Sequence, residues 1–449
     1  MRFSVRPLCL AVCVIGATAC DEQPPSGFPE SLDAQLRRSL NQYGGPVPIA
    51  PMPRQAPAVV ALGRALMFDK VLSGNRDIAC ATCHEPSLHA TDGLPLAIGT
   101  GGTGVGAART LGPGRSFVPR NAPSLLNSGI GLFYVFWDGR LSRFGPQPPE
   151  VPLLPSDLTN VLAAQAMMPV LNRREMRGEP GDVDVFGNPN ELAQFADTQS
   201  VEIWAAVMQR LLAIPEYVQL FRDAFPEERE YSLTFRHAAL ALAAFQMDAL
   251  MRTDSPFDRY LRHDDNALTV EAKRGGVLFF GDARCSSCHN GPFLGGQQFS
   301  NSGVPQLGPG VGKGAPLDLG RGELPHNEFY KFAFRAPPLR NVELTAPYFH
   351  NGSFATLESV VAHYNDVAKS LRNFDPTTLP PAVRSSYHGD QATIQAILET
   401  LDFRLRDSLR LTEAQQRELV AFLKSLTDPA ARDLTGIAPA SVPSGLPIH

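Results

Sequence analysis

Four cysteines and two histidines fall into two identical frames, Cys80-Ala-Thr-Cys83-His84 and Cys285-Ser-Ser-Cys288-His289. Cys-x-x-Cys-His is the attachment signature of c-type haem. The two thiols add to the porphyrin vinyl groups as thioethers, and the adjacent imidazole is placed to ligate the iron. The spacing lets all three groups reach one macrocycle from a single tight turn. A zinc site or a Cys-x-x-Cys redox pair is the competing reading. A structural zinc site takes four thiolate or imidazole ligands, and a redox pair does not require His beside the second Cys. Two copies in a chain that opens with an export signal point to two covalent haems.

That signal lies in residues 1–20. Arg2 and Arg6 form a positive n-region, Leu8 to Ile15 a short apolar core, and Ala17-Thr18-Ala19-Cys20 follow. The core is too short to stay as a membrane-spanning helix. The segment resembles a bacterial lipoprotein signal, with Cys20 as the lipidated first residue and hence a lipid anchor, although lipoboxes prefer Leu where Ala17 stands. The alternative is ordinary cleavage near Ala19. Both readings place the mature chain in the periplasm. Cys9 and Cys13 leave with the signal, so no cysteine remains for a disulfide, although that compartment would permit one. Stability must then come from packing and from the haems.

The elements that position these frames are partly legible. A chain of 449 residues predicts two or three domains. The net charge of −5 is spread over interspersed basic and acidic residues, and with no basic stripe nucleic acid is excluded as a partner. The 38 Gly and 40 Pro predict many turns and long loops. Residues 21–54 are rich in Pro, Gly and Gln and read as a flexible tether. Folded sequence is expected from Pro57, a good first helical position, with Val59, Leu62, Leu66 and Met67 at helical spacing. Gly63, Leu66 and Phe68 precede the first frame with the same offsets as Gly275, Leu278 and Phe280 before the second. A helix ending in an aromatic residue, then a loop into Cys-x-x-Cys-His, is the entry of a cytochrome c domain, so the chain reads as a duplicated unit rather than a solenoid.

Between the frames, residues 91–189 read as loops. Gly99 to Gly106 has no phosphate-loop Lys and no flanking strand–helix pattern, and reads as a turn-rich haem-pocket loop. Helices are predicted at Ser200–Ala213 and Ser232–Arg252, with polar Asp254 to Asp265 as a link. Thr412-Glu413-Ala414-Gln415 fits a capping box and opens a last helix that buries Leu419, Val420, Phe422, Leu423 and Leu426. The expected fold is mainly α, with two cytochrome c-like haem domains in tandem (residues 55–254 and 266–428), long loops and few short β-hairpins. Residues 429–449 are expected to be a tail.

Further residues carry a family likeness. They are Arg120-Asn121-Ala122-Pro123-Ser124, Phe136-Trp137-Asp138-Gly139-Arg140, Leu339-Arg340-Asn341-Val342 and Leu344 through Gly352, together with both haem frames. Over residues 57–428 the chain resembles the bacterial di-haem cytochrome c peroxidase and MauG superfamily. The resemblance implies that the first haem reacts with peroxide and the second receives and relays electrons. It implies a distal pocket made by Gln165, Pro169 and Glu175, which keep the family offsets. There a carboxylate would move protons on H₂O₂ and an amide would orient it. Taken alone, Glu175 would be a surface ion-pair residue. The stretch from Leu141 to Ala164 is longer and richer in Pro than in the family. Trp137 matches an electron relay between the haems, whereas Trp204, on an amphipathic helix, reads as a core aromatic. The resemblance also implies a calcium ion between the haems, held by Asn121, Thr345 and Pro347; oxygen donors suit calcium.

Two departures from the peroxidase pattern stand out. No histidine occurs in Gly99 to Pro119, where relatives carry one that caps the first haem at rest; His89 lies too near His84 for that role. At the position where peroxidases place the Met ligand of the second haem stands Tyr364, and no Met follows Met251. Tyrosine there is the MauG-type arrangement, and a phenolate donor would favour ferric iron. His363 is the rival ligand, read otherwise as a solvent-facing helix residue. The expected function is an exported di-haem peroxidase that reduces H₂O₂, with a small cytochrome c or cupredoxin as electron donor. One alternative is a MauG-like oxidase that modifies a residue of a partner protein. The other is an electron-transfer cytochrome without catalysis, against which Gln165 and Glu175 argue.

Overall fold

The computed structural model describes residues 30–42, 45–129, 132–142, 154–155, 158 and 160–448. The expected export signal, with Cys20, lies outside them. The described chain is helix-rich, with short strands only. Helices α1 (Leu32–Gln42), α2 (Pro57–Phe68), α3 (Cys80–Cys83), α4 (Val161–Ala166), α5 (Ser200–Leu212), α6 (Pro215–Ala224) and α7 (Phe235–Ala249) come first. They are followed by α8 (Pro256–Leu261), α9 (Val270–Phe280), α10 (Leu357–Asn365), α11 (Val367–Arg372), α12 (Pro381–Arg384), α13 (Gln391–Glu399) and α14 (Glu413–Lys424). Three two-stranded antiparallel ladders pair Tyr134–Val135 with Leu141–Ser142, Phe299–Ser300 with Phe334–Arg335, and Gln306–Leu307 with Tyr387–His388. Only the first joins nearby segments as a hairpin would; the other two tie distant loops together.

Among the described residues two large apolar cores, accompanied by three smaller clusters, organise the chain. One gathers Leu62, Leu66 and Phe68 of α2 with Trp204, Tyr217, Phe221, Leu242 and Phe245. The other gathers Phe279 and Phe280 of α9 with Phe257, Tyr260, Leu419 and Phe422. The repeat seen in sequence is a repeat in packing. Gly63 faces Ala241 and Phe245 on α7, and Gly275 faces Glu418 and Phe422 on α14. A Cβ on Gly63 would sit 2.8 Å from Phe245 Cβ, one on Gly275 2.9 Å from Phe422 Cβ, and each would collide with a backbone carbonyl. Both positions therefore need a residue without a side chain so that two helix backbones can touch. Five residues on, Phe68 meets Phe245 edge-on at 6.2 Å and Phe280 meets Phe422 edge-on at 5.8 Å. At α14 the capping box forms as the sequence predicts: Gln415 N donates to Thr412 Oγ1 at 3.3 Å, and Thr412 N to Gln415 Oε1 at 2.9 Å.

Three expectations about connecting segments are corrected. Within the supposed tether, α1 buries Leu36 and Leu40 in the second core, because its apolar residues recur four apart. The supposed polar link contains α8, whose Phe257 and Tyr260 are fully buried and whose buried Asp258 pairs with buried Arg340. The supposed tail returns to the first core through Ala431, Leu434, Val442 and Leu446. Buried Asp69 receives it, accepting from Ser444 Oγ at 2.6 Å and from Tyr217 OH at 2.8 Å. In each case a few apolar residues set among polar ones are buried by partners far away in sequence.

Candidate functional site: two haem-frame cavities joined at Trp137

Each core ends in a cavity that contains one Cys-x-x-Cys-His frame. The first, of about 250 Å³, is lined by Cys80, Cys83 and His84 together with Gln165, Pro169 and Glu175. The second, of about 170 Å³, is lined by Cys285, Cys288 and His289 together with His350 and Tyr364. Trp137 lines both, and its Nε1 donates to Asn121 O at 3.0 Å.

The donor sets fit a covalent haem. All four thiols are unpaired, and burial pushes them up, Cys80 to about 11 and Cys285 to about 12. His84 Nδ1 donates to Ala90 O at 3.2 Å. His289 Nδ1 donates to Leu294 O and Pro337 O, each at 3.1 Å. A neutral imidazole that donates from Nδ1 keeps the Nε2 lone pair for a metal. Burial favours that neutral form, lowering both histidines to about 4. Among the described residues no group of three or more His, Cys, Asp or Glu side chains is arranged to hold a metal ion.

The three distal candidates come together from different turns. Gln165 lies on α4, which Asn160 caps by accepting from Leu162 N at 2.9 Å. Pro169 opens the next 3₁₀ turn. Glu175 sits in a single π turn, Arg173–Arg177, capped by Asn172. Half-buried on the cavity wall, Glu175 accepts from Asn172 Nδ2 at 3.0 Å. Burial raises its pKa, against the opposing fields of Arg140 and Arg120. The glycine-rich loop serves this residue. Thr100 N donates to Glu175 O at 2.7 Å, and a Cβ on Gly99 would strike the Glu175 backbone. Buried Arg109 closes the loop, donating to Ile98 O at 2.8 Å and to Gly99 O at 2.7 Å. His89 is turned elsewhere, its Nδ1 donating to Ala431 O at 3.1 Å. Trp204 is a buried core residue whose Nε1 donates to Met167 O at 2.8 Å.

In the second cavity the reading of His363 is corrected. It is buried, not solvent-facing. Its Nε2 donates to Ser302 O at 2.8 Å and its Nδ1 accepts from Ser370 Oγ at 2.9 Å. Both nitrogens are committed within the protein, and among the described lining residues Tyr364, not His363, faces the cavity. Burial raises the Tyr364 phenol well above its usual value. Asn121 N donates to His350 O at 2.7 Å, which ties Asn121 to the segment carrying Thr345 and Pro347. Asn121 Nδ2 is spent on Leu94 O at 2.6 Å.

Between the cavities lies a buried charge network that sequence reading missed. Arg120 donates through Nε and Nη2 to both oxygens of Asp318, at 2.7 and 2.9 Å, and through Nη1 to Asp138 at 2.7 Å. Burial works against ionised Asp138, but Arg140 and Arg120 overcome it and hold the carboxyl at about 2. Phe334 stacks on His350 at 3.4 Å and 9°. Arg120 and Asp138 stood inside recognised motifs, yet Asp318, far along the chain, carried no signal of pairing with them.

The chain is similar to known proteins in sequence and in fold. A family model for di-haem cytochrome c peroxidase matches residues 57–266, and a RoxA-like, cytochrome c-like model matches residues 333–365. The methylamine utilization protein MauG of Methylorubrum extorquens is 31% identical over 378 residues, 84% of this chain and 80% of that one. Cytochrome c551 peroxidase of Pseudomonas aeruginosa is 35% identical over 301 residues, 67% of this chain and 70% of the relative. Among solved structures, a MauG-like protein associated with microbial copper homeostasis superposes with a TM-score of 0.59 at 26% identity, covering 88% of this chain and 96% of its own. The chain belongs to the di-haem cytochrome c peroxidase and MauG family. That family implies two haems of c type. No helix among the described residues is long and apolar enough to cross a membrane.

Proposed function

We propose that this chain is an exported di-haem c-type peroxidase. It would reduce hydrogen peroxide at the haem held by Cys80, Cys83 and His84, with electrons passed on from a second haem held by Cys285, Cys288 and His289. Each core would then be a cytochrome c-like domain. A bound haem supplies a redox-active iron tuned by its axial ligands and surroundings.

The observation that carries this reading is Glu175 sharing one cavity wall with Gln165 and His84. Peroxide reduction takes two electrons and two protons to give two waters. A carboxylate in a desolvated wall can accept a proton from one peroxide oxygen and return it to the departing one. Gln165 would orient the peroxide by its amide, and Pro169 would shape the wall. Trp137 lines both cavities, which supports a relay role. Electrons would come from a small donor such as a cytochrome c or a cupredoxin.

The test is peroxide consumption by the doubly loaded protein with reduced donor. Glu175→Gln keeps the shape and removes the titratable group, and turnover should fall ~10²–10⁴-fold. The ionised carboxylate is the base, so wild-type turnover should fall as pH drops through the Glu175 pKa, which burial raises above the ordinary ~4.3. The Gln variant should lose that limb. An unchanged rate and profile would remove Glu175 from the mechanism.

A MauG-like oxidase acting on a residue of a partner protein is the second reading. It is favoured by Tyr364 on the second cavity wall and by the commitment of both His363 nitrogens. A calcium ion held by Asn121, Thr345 and Pro347 fits either reading. Asn121 spends its amide nitrogen on Leu94 O, which keeps its oxygen for a cation. Elemental analysis of the purified protein, before and after chelation, checks it.

A further inference from the structure

The second cavity is lined by three guanidinium groups, Arg284, Arg335 and Arg404, and by no carboxylate among the described residues. Two of the three are accounted for. Arg404 pairs with Asp402 at 2.7 Å, and Arg284 is exposed. Arg335 differs: it is only 8% exposed and has no ion-pair partner among the described residues. Its Nε donates to Phe136 O at 3.1 Å, whereas its Nη1 is buried with no hydrogen-bond partner. An unpaired buried charge is costly, and such groups in folded proteins are matched by a counter-charge.

We infer that Arg335 is the counter-charge for a propionate carboxylate of the second haem and thereby raises that haem's reduction potential. A haem carries two propionates, and the cavity that holds Cys285, Cys288 and His289 offers this cation and no acid. A guanidinium is planar, permanently charged and suited to grip a carboxylate with two parallel bonds. Asp138 is the acid whose field reaches Arg335, but its oxygens already serve Arg120 and Arg140. The other titratable groups on this wall are Arg284, Arg404, His289, His350, Tyr348, Tyr364 and the two thiols Cys285 and Cys288, none of them a carboxylate.

The same residue grips the strap between the cavities. Arg335 N donates to Trp137 O at 2.7 Å, while its side chain holds Phe136 O. One residue thus ties the anionic edge of the second haem to the backbone of the aromatic side chain that lines both cavities. Arg335 is a positioning residue in this role.

The inference rests on a haem being bound at the second frame, which intact-mass spectrometry reads separately in every preparation. Doubly loaded wild type, Arg335→Gln and Arg335→Lys are titrated by spectroelectrochemistry between pH 5 and 8. In Arg335→Gln the ratio of reduced to oxidised second haem at a fixed poise should fall about tenfold, which is about 59 mV for a one-electron centre. Without its cation the propionate should titrate within that range, so the potential should become pH-dependent where wild type is flat. Arg335→Lys should stay close to wild type, and the first haem should be unmoved in both. Equal potentials and flat profiles in Gln and wild type would overturn the inference, as would an equal shift in Lys and Gln. If Gln fails to load its second haem, Lys decides: normal loading and potential support a charge role, and failure of both overturns it.

Discussion

At the second frame, chemistry turns on which of two neighbouring side chains meets the metal. Tyr364 and His363 lie side by side on α10, and helical geometry sends them about 100° apart. His363 points to Ser302 and Ser370, which take up both its nitrogens. Tyr364 lines the cavity together with Leu419 and Leu423. Tyr364→Met should raise the reduction potential of the second haem and give a His/Met spectrum, since a thioether favours ferrous iron more than a phenolate does. Tyr364→Phe should open the site to added ligands. His363→Ala should leave both readouts unchanged and lower the melting temperature instead. Optical spectra and redox titration of the three variants check this, and a spectrum that responds only to His363→Ala would reverse the assignment.

Among the elements, the two helix crossings are where a one-carbon change matters most. Gly63 and Gly275 each sit against the backbone of the partner helix. Adding a methyl group must push α2 from α7, or α9 from α14, and so disturb the Phe68–Phe245 or Phe280–Phe422 contact behind it. Overpacking of this kind costs about 1–3 kcal/mol. Gly63→Ala and Gly275→Ala should each lower stability by that order in denaturant unfolding monitored at the haem bands. Each should act first on the haem of its own core. Ala gains slightly over Gly in helix propensity, so a net stabilisation at either site would show that the crossing is looser than described.

On the scale of the whole molecule, Arg120 is the joint between the halves. It binds Asp138, next in sequence to the Trp137 that lines both cavities, and Asp318, far along the chain, all three buried. Removing one partner of a buried ion pair typically costs about 3–5 kcal/mol, so Arg120→Leu should destabilise by that order in chemical denaturation. Both carboxyls are held below their usual value, Asp138 at about 2. A depressed carboxyl contributes stability above its unfolded pKa of ~3.9 and loses it as pH falls through the folded value. Wild-type melting temperature should therefore drop between about pH 4 and pH 2, and Arg120→Leu should flatten that drop. A pH profile of melting in the two proteins is the measurement.

By itself the sequence determined what is local. Both haem frames, the glycine–leucine–phenylalanine repeat before each, the capping box at Thr412 and the helical periods all lie within a few residues, where spacing alone dictates geometry. Gln165, Pro169 and Glu175 were singled out only through the family resemblance; taken alone, Glu175 reads as a surface ion-pair residue. Tertiary structure decided what depends on partners far away. It showed α1 and α8 buried where polar composition suggested a tether and a link. It returned residues 431–446 to the first core, and it buried His363 by hydrogen bonds that no periodicity encodes. It brought Asp318 to Arg120 and left Arg335 without an acid partner among the described residues. Burial and counter-charge are properties of three-dimensional neighbours, and a charged residue reads the same in sequence whether it meets water, an acid or a cofactor.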